Sequence, residues 1–189
     1  MYAPPNAESA DLNPLFRVAN VSNTGALTVH ELGSALVNAD FTPFATATIR
    51  SLMRMFSTTP PGQSPVIIFG EFQNLWRFLA AWRELFERFD EDRSGKISLT
   101  EFTNALAAFG YRLSHPFISL LYTSYIHIGD GRRGSSGGHE GMSFDLFVQA
   151  CISLKRMTDV FKTYDDDRDG YVTLSFEEFL TEILKLRDS

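Results

Sequence analysis

Apolar residues return at helical intervals over most of the chain. Phe72, Leu75, Trp76, Leu79, Trp82, Leu85, Phe86 and Phe89 follow i, i+3, i+4, i+7 spacing with polar residues between them, which predicts one long amphipathic helix. Phe144, Phe147, Val148, Cys151, Leu154, Met157, Val160, Phe161 and Tyr164 predict a second. Neither run contains Gly or Pro, so neither offers a natural break. Loop-like stretches interrupt the helical pattern, beginning at Asn20, Ser57, Asp90, Ile126 and Asp165, which are 37, 33, 36 and 39 residues apart. Such a period marks one supersecondary unit used repeatedly. The loops end in a common register, at Glu31–Leu32, Glu71–Phe72, Glu101–Phe102, Leu146–Phe147 and Glu178–Phe179. The expected fold is all-α, with five helix–loop–helix units at about 13–38, 44–80, 75–109, 115–157 and 144–187 in one module over 13–189. A disordered Pro-containing stub is expected at 1–12, and Asn13 before Pro14 reads as the N-cap of the first helix.

The third loop carries the clearest chemistry. In "DEDRSGKISLTE", Asp90, Asp92, Ser94, the Lys96 carbonyl, Ser98 and Glu101 stand at positions 1, 3, 5, 7, 9 and 12, with Gly95 at position 6. A chain coiling around an ion turns alternate residues inward, and this spacing is that of a calcium loop. Ca2+ takes about six to eight hard oxygens, and Glu101 is expected to close the shell with both of its own. Gly95 permits the sharp turn at the midpoint. Ile97, at position 8, is expected to bridge to a neighbouring loop, and Ser98 with Glu101 reads as a capping box for the exit helix.

The other loops depart from this pattern in different ways. In the fifth, Asp165, Asp167, Asp169, Gly170 and the Tyr171 carbonyl match positions 1, 3, 5, 6 and 7, yet Phe176 occupies position 12. Ser175 and Glu178 form a capping box two residues late, so a weak site that could also take Mg2+ is expected. The first loop places Asn20, Ser22, Thr24, the Ala26 carbonyl, Thr28 and Glu31 in register, with one formal negative charge against three in the third loop. Affinity falls with ligand charge, so this loop is either a weak calcium site or purely structural. The second loop, stretched by three residues and holding Pro60, Pro61 and Pro65, and the longer fourth, which ends in Leu146, are expected to be structural.

Composition narrows the functional classes. Seventeen Lys and Arg against 23 Asp and Glu give a net charge of -6 and a pI near 5.2, which argues against nucleic acid or anionic lipid as partner. The single cysteine, Cys151, cannot form an intrachain disulfide and reads as a small buried hydrophobe in a reducing compartment. No apolar run approaches the roughly 18 residues of a membrane span, and the N-terminus lacks the features of a secretory signal. A cytoplasmic protein is expected, peripheral at membranes only through partners. No catalysis is expected: Cys151 lacks a His and Asn constellation, and His30, His115, His127 and His139 are scattered without metal-ligand spacing. The string "GDGRRG" (Gly129–Gly134) sits in a Gly/Ser stretch rather than between a strand and a helix, so no nucleotide site is expected there.

Five units, long shared helices and a fifth loop lengthened by two residues together resemble the penta-EF-hand family. "GYRLS" (Gly110–Ser114), "MTDVFKTYDDDRDG" (Met157–Gly170) and "ALVN" (Ala35–Asn38) are similar to its branch containing the apoptosis-linked calcium sensor and peflin. The likeness covers nearly the whole chain after Asp11, although Asn20, Ser22 and Thr24 dilute the acidic first loop common in that branch. It implies dimerisation through fifth hands, as a homodimer or as a heterodimer with another penta-EF-hand chain. It also implies targets that include Pro-rich segments of membrane-trafficking proteins. Loop pairing points the same way: first with second and third with fourth leaves the fifth without a mate. Phe176, Phe179, Leu180, Ile183 and Leu184 give the last helix an apolar face for such a contact.

Trp82, Tyr111 and Phe117 are candidates for a peptide groove, while Trp76 and Trp82 also fit a simple core stripe. The expected function is a noncatalytic calcium sensor or adaptor, in which filling the third loop shifts the helix bearing Phe102, Leu106 and Phe109 and the connector "GYRLSHP". Two alternatives stay open at this stage: a regulatory subunit of a larger enzyme, as the likeness to calpain small subunits permits, and a dimeric scaffold indifferent to calcium.

Overall fold

Helices alternate with short loops throughout the computed structural model, which describes residues 11–60, 62–130 and 141–188. Among these residues the order is α1 (Asn13–Ala19), β1 (Ala26–Leu27), α2 (Val29–Ala35), α3 (Thr46–Phe56), β2 (Ile67–Ile68), α4 (Phe69–Phe89), α5 (Leu99–Ala108), α6 (His115–Asp130), α7 (Phe144–Lys162) and α8 (Phe176–Asp188). The chain divides into two compact units, one up to Val148 and one from Gln149 onward. No helix among the described residues is long and apolar enough to cross a membrane.

The start of the fold differs from the sequence expectation by about two residues. Leu12 is buried, and Asp11 Oδ1 accepts from both the backbone N–H and the side-chain amide of Asn13. Leu12 rather than Asn13 therefore holds the N-cap position, with Pro14 inside the first turn. A carboxylate can satisfy an orphan N–H from one residue further out, which leaves the Asn13 side chain free to fold back on it. The rest of the expected stub, residues 1–10, and most of the Gly/Ser stretch at 129–141, with His139 in it, lie outside the described residues.

Loop pairing follows the order anticipated from the sequence, first with second and third with fourth. β1 and β2 run antiparallel, with Ala26 opposite Ile68 and Leu27 opposite Ile67, so the first and second loops share a two-stranded sheet. Ile97 and Met142 join the third and fourth loops through a pair of backbone hydrogen bonds, each 2.8 Å long. Leu27, Ile67, Ile97 and Met142 are all fully buried. One apolar residue per loop thus closes a backbone ladder and plugs the core at once.

The third–fourth pair is tight enough to depend on a glycine. A Cβ at Gly141 would lie 2.8 Å from Lys96 Cβ and 3.4 Å from the Ile97 carbonyl oxygen. Gly141→Ala should force the bridge apart and cost about 1–3 kcal/mol, read as a lower urea midpoint at unchanged slope.

Aromatic contacts organise the core of the first unit. Phe147 meets Trp82 at 6.0 Å, Phe86 at 5.6 Å and Phe102 at 6.3 Å between ring centroids, so the start of α7 is wedged against α4 and α5. α4 extends without interruption from the second loop to the third, as its continuous apolar stripe requires. In the second unit, Tyr164 donates its hydroxyl hydrogen to Glu182, which also pairs with Lys185 at 2.7 Å.

Candidate metal-binding loops

The backbone takes one path in three of the loops. Position 4 is left-handed at Asn23 (φ 55°), Arg93 (φ 56°) and Arg168 (φ 59°), and position 6 is left-handed at Gly25, Gly95 and Gly170 (φ 81°, 78° and 86°). Glycine at position 6 was expected of the third and fifth loops. The left-handed residue at position 4 was not, because Arg carries no signal for that conformation.

In the third loop the side chains converge on one point. Carboxylate oxygens of Asp90, Asp92 and Glu101 lie within 4.8 Å of one another. Asp90 Oδ1 accepts from the Ser94 N–H and Oδ2 from the Gly95 N–H, both at 2.9 Å, and Asp92 Oδ1 accepts from Ser94 at the same distance. Ser94 Oγ donates to the Lys96 carbonyl at 2.9 Å, which brings positions 5 and 7 together. Asp90 and Glu101 are buried, whereas Asp92 is exposed. Burial is the largest influence on Asp90 and pushes its carboxyl above the usual range; the Asp92 side chain and the Glu101 charge add to it, against the Gly95 and Ser94 N–H groups. Negative charge concentrated in this way, with hydroxyl and carbonyl oxygens beside it, fits a hard divalent cation.

Glu101 already faces into the loop. Its Oε1 accepts from the Glu91 N–H at 2.9 Å, and its Oε2 accepts from the N–H and the hydroxyl of Ser98, both at 2.7 Å. Ser98 Oγ accepts in turn from the Glu101 N–H, completing the capping box at the start of α5.

The same double anchorage holds the equivalent glutamates of the first and second loops. Glu31 accepts from the N–H of Ser22 and from the N–H and hydroxyl of Thr28, each at 2.9 Å. Glu71 accepts from the N–H and hydroxyl of Thr58 and from the N–H of Ile68. A terminal glutamate drawn inward is therefore a property of the hand and does not depend on how acidic the loop is.

What separates the first loop from the third is how the remaining positions are satisfied. Asn20 Oδ1 accepts from the Thr24 N–H at 3.2 Å, the Ser22 and Thr24 hydroxyls are 3.1 Å apart, and Thr24 Oγ1 donates to the Ala26 carbonyl at 3.0 Å. Neutral groups close this ring among themselves, and no repulsion calls for an ion. The N–H groups of Thr28 and then Ser22 hold the Glu31 carboxyl down to about 2, from an ordinary value of 4.5. A depressed carboxylate contributes stability above its unfolded value and loses it as pH falls through its folded one. Acid unfolding followed by circular dichroism should therefore lose the Glu31 contribution between about pH 4.5 and 2, and Glu31→Gln should flatten the curve over that window.

The fifth loop stands in the second unit. Asp165, Asp167 and Asp169 also lie within 4.8 Å of one another, and Asp165 accepts from the Asp169 and Gly170 N–H groups at 3.1 and 3.3 Å. Phe176, at position 12, is exposed and begins α8. Glu178 accepts from the N–H and hydroxyl of Ser175, at 2.8 and 2.6 Å. Among the described residues no N–H from the start of this loop reaches it. Tyr171, whose carbonyl was assigned to the site, carries an exposed side chain.

The three groove candidates are not gathered by ring contacts. Trp82 is half-buried and packs on Phe78, Phe109 and Phe147, Tyr111 is half-buried, and Phe117 is exposed on α6. By contrast Phe176, Phe179, Leu180, Ile183 and Leu184 are all exposed along α8. Cys151 is buried, and burial pushes its thiol up to about 12, which removes it from nucleophilic chemistry.

The EF-hand domain pair family matches residues 79–184. Peflin of Homo sapiens is 34% identical over 179 residues, covering 95% of this chain and 59% of the human protein, so the chain spans about six tenths of that relative's length. Sorcin of Schistosoma japonicum is 34% identical over 174 residues, covering 92% of this chain and 94% of the sorcin. Among solved structures, a homolog of programmed cell death 6 protein from Leishmania major Friedlin matches with a TM-score of 0.72 and 30% identity, covering 94% of each chain.

Proposed function

Because the chain belongs to the penta-EF-hand family, we propose that it is a calcium-binding sensor and adaptor of the peflin and sorcin type whose principal site is the third loop. The observation that carries this reading is the convergence of Asp90, Asp92 and Glu101 within 4.8 Å, on a loop whose neutral positions also present oxygen. Asp90, Asp92, Ser94, the Lys96 carbonyl and Glu101 would hold the ion. Bound Ca2+ would supply the positive charge that lets three carboxylates share one space. Glu101 lies in the first turn of α5, so any shift of its carboxylate is passed to Phe102 and Leu106, both buried in the core. The half-buried Tyr111 and the rest of the connector follow α5 directly, and Trp82 packs against Phe109 at its end. That end of α5, with Phe117 beyond it, is where a Pro-rich target segment would be sensed.

The first loop serves as structure in this reading, held by Glu31 and its neutral ring. The fifth loop is a weaker site, and its unclosed shell, with Phe176 where a glutamate would be, leaves room for water and admits Mg2+. The exposed face of α8 receives another fifth hand, from a second copy or from another penta-EF-hand chain. Lone buried Cys151 agrees with a cytoplasmic setting, and no catalytic step is assigned. A calcium-indifferent scaffold is the competing reading, favoured by protein donors that hold Glu31, Glu71 and Glu101 inward in neutral and acidic loops alike.

Calorimetric titration separates the two. Wild type should bind calcium at about 10⁻⁷ to 10⁻⁵ M, and Asp90→Ala should lose that heat. No heat in the wild type would leave the scaffold.

A further inference from the structure

Asn38, the last residue of "ALVN", is a polar side chain only 4% exposed, in the linker between the first hand and the second. Its partner is Asp145, 107 positions along the chain and 1% exposed. Asn38 Nδ2 donates to Asp145 Oδ1 at 3.0 Å, and the Asp145 N–H donates back to Asn38 Oδ1 at 3.1 Å. Ser143 Oγ donates to the same carboxylate oxygen at 2.6 Å, while the Ala45 N–H donates to Oδ2. An anion withdrawn this far from water is tolerated only when donors replace the solvent, and three do so here.

Those donors tie down both ends of one hairpin. Between Asn38 and Ala45 the chain reverses through a Val37–Pro43 bridge, with the Asn38 N–H bonded to the Thr42 carbonyl at 2.8 Å and the Phe41 N–H to the Asn38 carbonyl at 3.0 Å. Phe41 at the tip is 84% exposed and left-handed, at φ 62°. A bulky residue keeps that conformation only where its surroundings fix it. The Asp145 carboxylate grips the base of the turn on either side and so sets where the tip points.

Asp145 is also tied to the third loop through a backbone bridge. It lies three residues after Met142, whose N–H and carbonyl are both bonded to Ile97, and Ile97 sits between the ligand positions Lys96 and Ser98. We propose that Asp145 is a positioning residue that couples the shape of the third loop to the 37–43 hairpin, through the Ile97–Met142 bridge and the Asp145 clamp on Asn38 and Ala45. Reshaping the third loop shifts Met142, Asp145 moves with it, and the exposed Phe41 is re-aimed. The coupling rests on the calcium reading of the third loop and gives that reading a second output, distant from α5.

Hydrogen exchange of the full chain, with and without calcium, tests the coupling when read at peptides covering 36–46 and 90–101 beside calorimetry. In the wild type, calcium should slow exchange over 90–101 and change it over 36–46 by about fivefold or more. In Asp145→Asn, and separately in Asn38→Ala, binding heat and protection over 90–101 should persist while the response at 36–46 disappears. Asn38→Ala leaves Asp145 its Ser143 and Ala45 donors, so it decides the question if Asp145→Asn does not fold. A folded variant that keeps the wild-type response at 36–46 overturns the coupling, as does a wild type that binds calcium with 36–46 unchanged. No calcium heat in the wild type overturns the third-loop reading and the coupling with it, and the calorimeter tells that failure from the other two.

Discussion

Glu101→Gln is expected to push calcium binding by the third loop out of the sensor range in a protein that still folds. Glutamine offers one neutral oxygen where the carboxylate offers two charged ones, and its amide hydrogens point at groups that themselves donate. The Glu91 N–H and the Ser98 N–H each need an acceptor, at 2.9 and 2.7 Å in the native loop. An amide can serve only one side. The unmet donor should cost about 1–3 kcal/mol, which a domain with about 5–15 kcal/mol of stability survives. Affinity should fall from the sensor range, about 10⁻⁷ to 10⁻⁵ M, to about 10⁻⁴ M or weaker. Calcium-dependent binding of an apolar dye should vanish in parallel, because α5 no longer receives a signal at its first turn. Glu31→Gln is the control and should leave both readouts as in the wild type. A Glu101→Gln protein that still binds dye on adding calcium would refute a mechanism based on this carboxylate.

Much of this arrangement was legible because loop chemistry is local. Asp90, Asp92, Ser94 and Glu101 announce themselves by spacing alone, since a chain coiling about a point must present every second residue to it. The apolar position 8 of the third loop foretold that Ile97 would bridge to a neighbouring loop, and its partner is Met142; the pairing of Leu27 with Ile67 came from the structure. The delayed start of α8 followed from Ser175 and Glu178. The features that escaped are non-local or carried by the backbone. No residue type marks Arg93 or Arg168 as left-handed. Glu91 contributes its N–H, which every non-proline residue has, so its anchorage of Glu101 leaves no trace in the sequence.

Asp145 illustrates the limit most clearly. An acid near the start of a helix reads as a favourable charge at the N-terminal turn, and nothing in its neighbourhood hints at Asn38. The pair exists only once the first linker and the fourth loop have been brought together. Trp76 shows the converse: its helical register foretold burial, and it is buried, but that its indole N–H has no partner among the described residues belongs to the packing and not to the pattern.

At micromolar concentration the chain is expected to scatter light as a particle of twice its 21.3 kDa mass, and Ile183→Asp is expected to halve that mass. Phe176, Phe179, Leu180, Ile183 and Leu184 repeat at i, i+3, i+4, i+7, i+8 and form one stripe along α8, all of them exposed. The side chains between them include Glu177, Glu178 and Glu182, so the helix has a polar face as well and is not apolar by default. A contiguous apolar stripe bounded by acids marks a surface made to be covered. The fifth loop supplies a second reason. Residues 171–175 form no strand or bridge among the described residues, whereas each of the first four loops has a backbone partner. A second fifth hand would cover the stripe and pair the loop in one contact. Placing an unpaired aspartate at the centre of that contact should cost about 2–5 kcal/mol, enough to weaken a micromolar dimer by about thirtyfold or more. Calcium heat from the third loop should be unchanged in Ile183→Asp, because that loop lies in the other compact unit. A wild-type mass of 21.3 kDa that doubles only on mixing with another penta-EF-hand chain would assign the stripe to a heterodimer, and a mass that never rises would remove α8 as an interface.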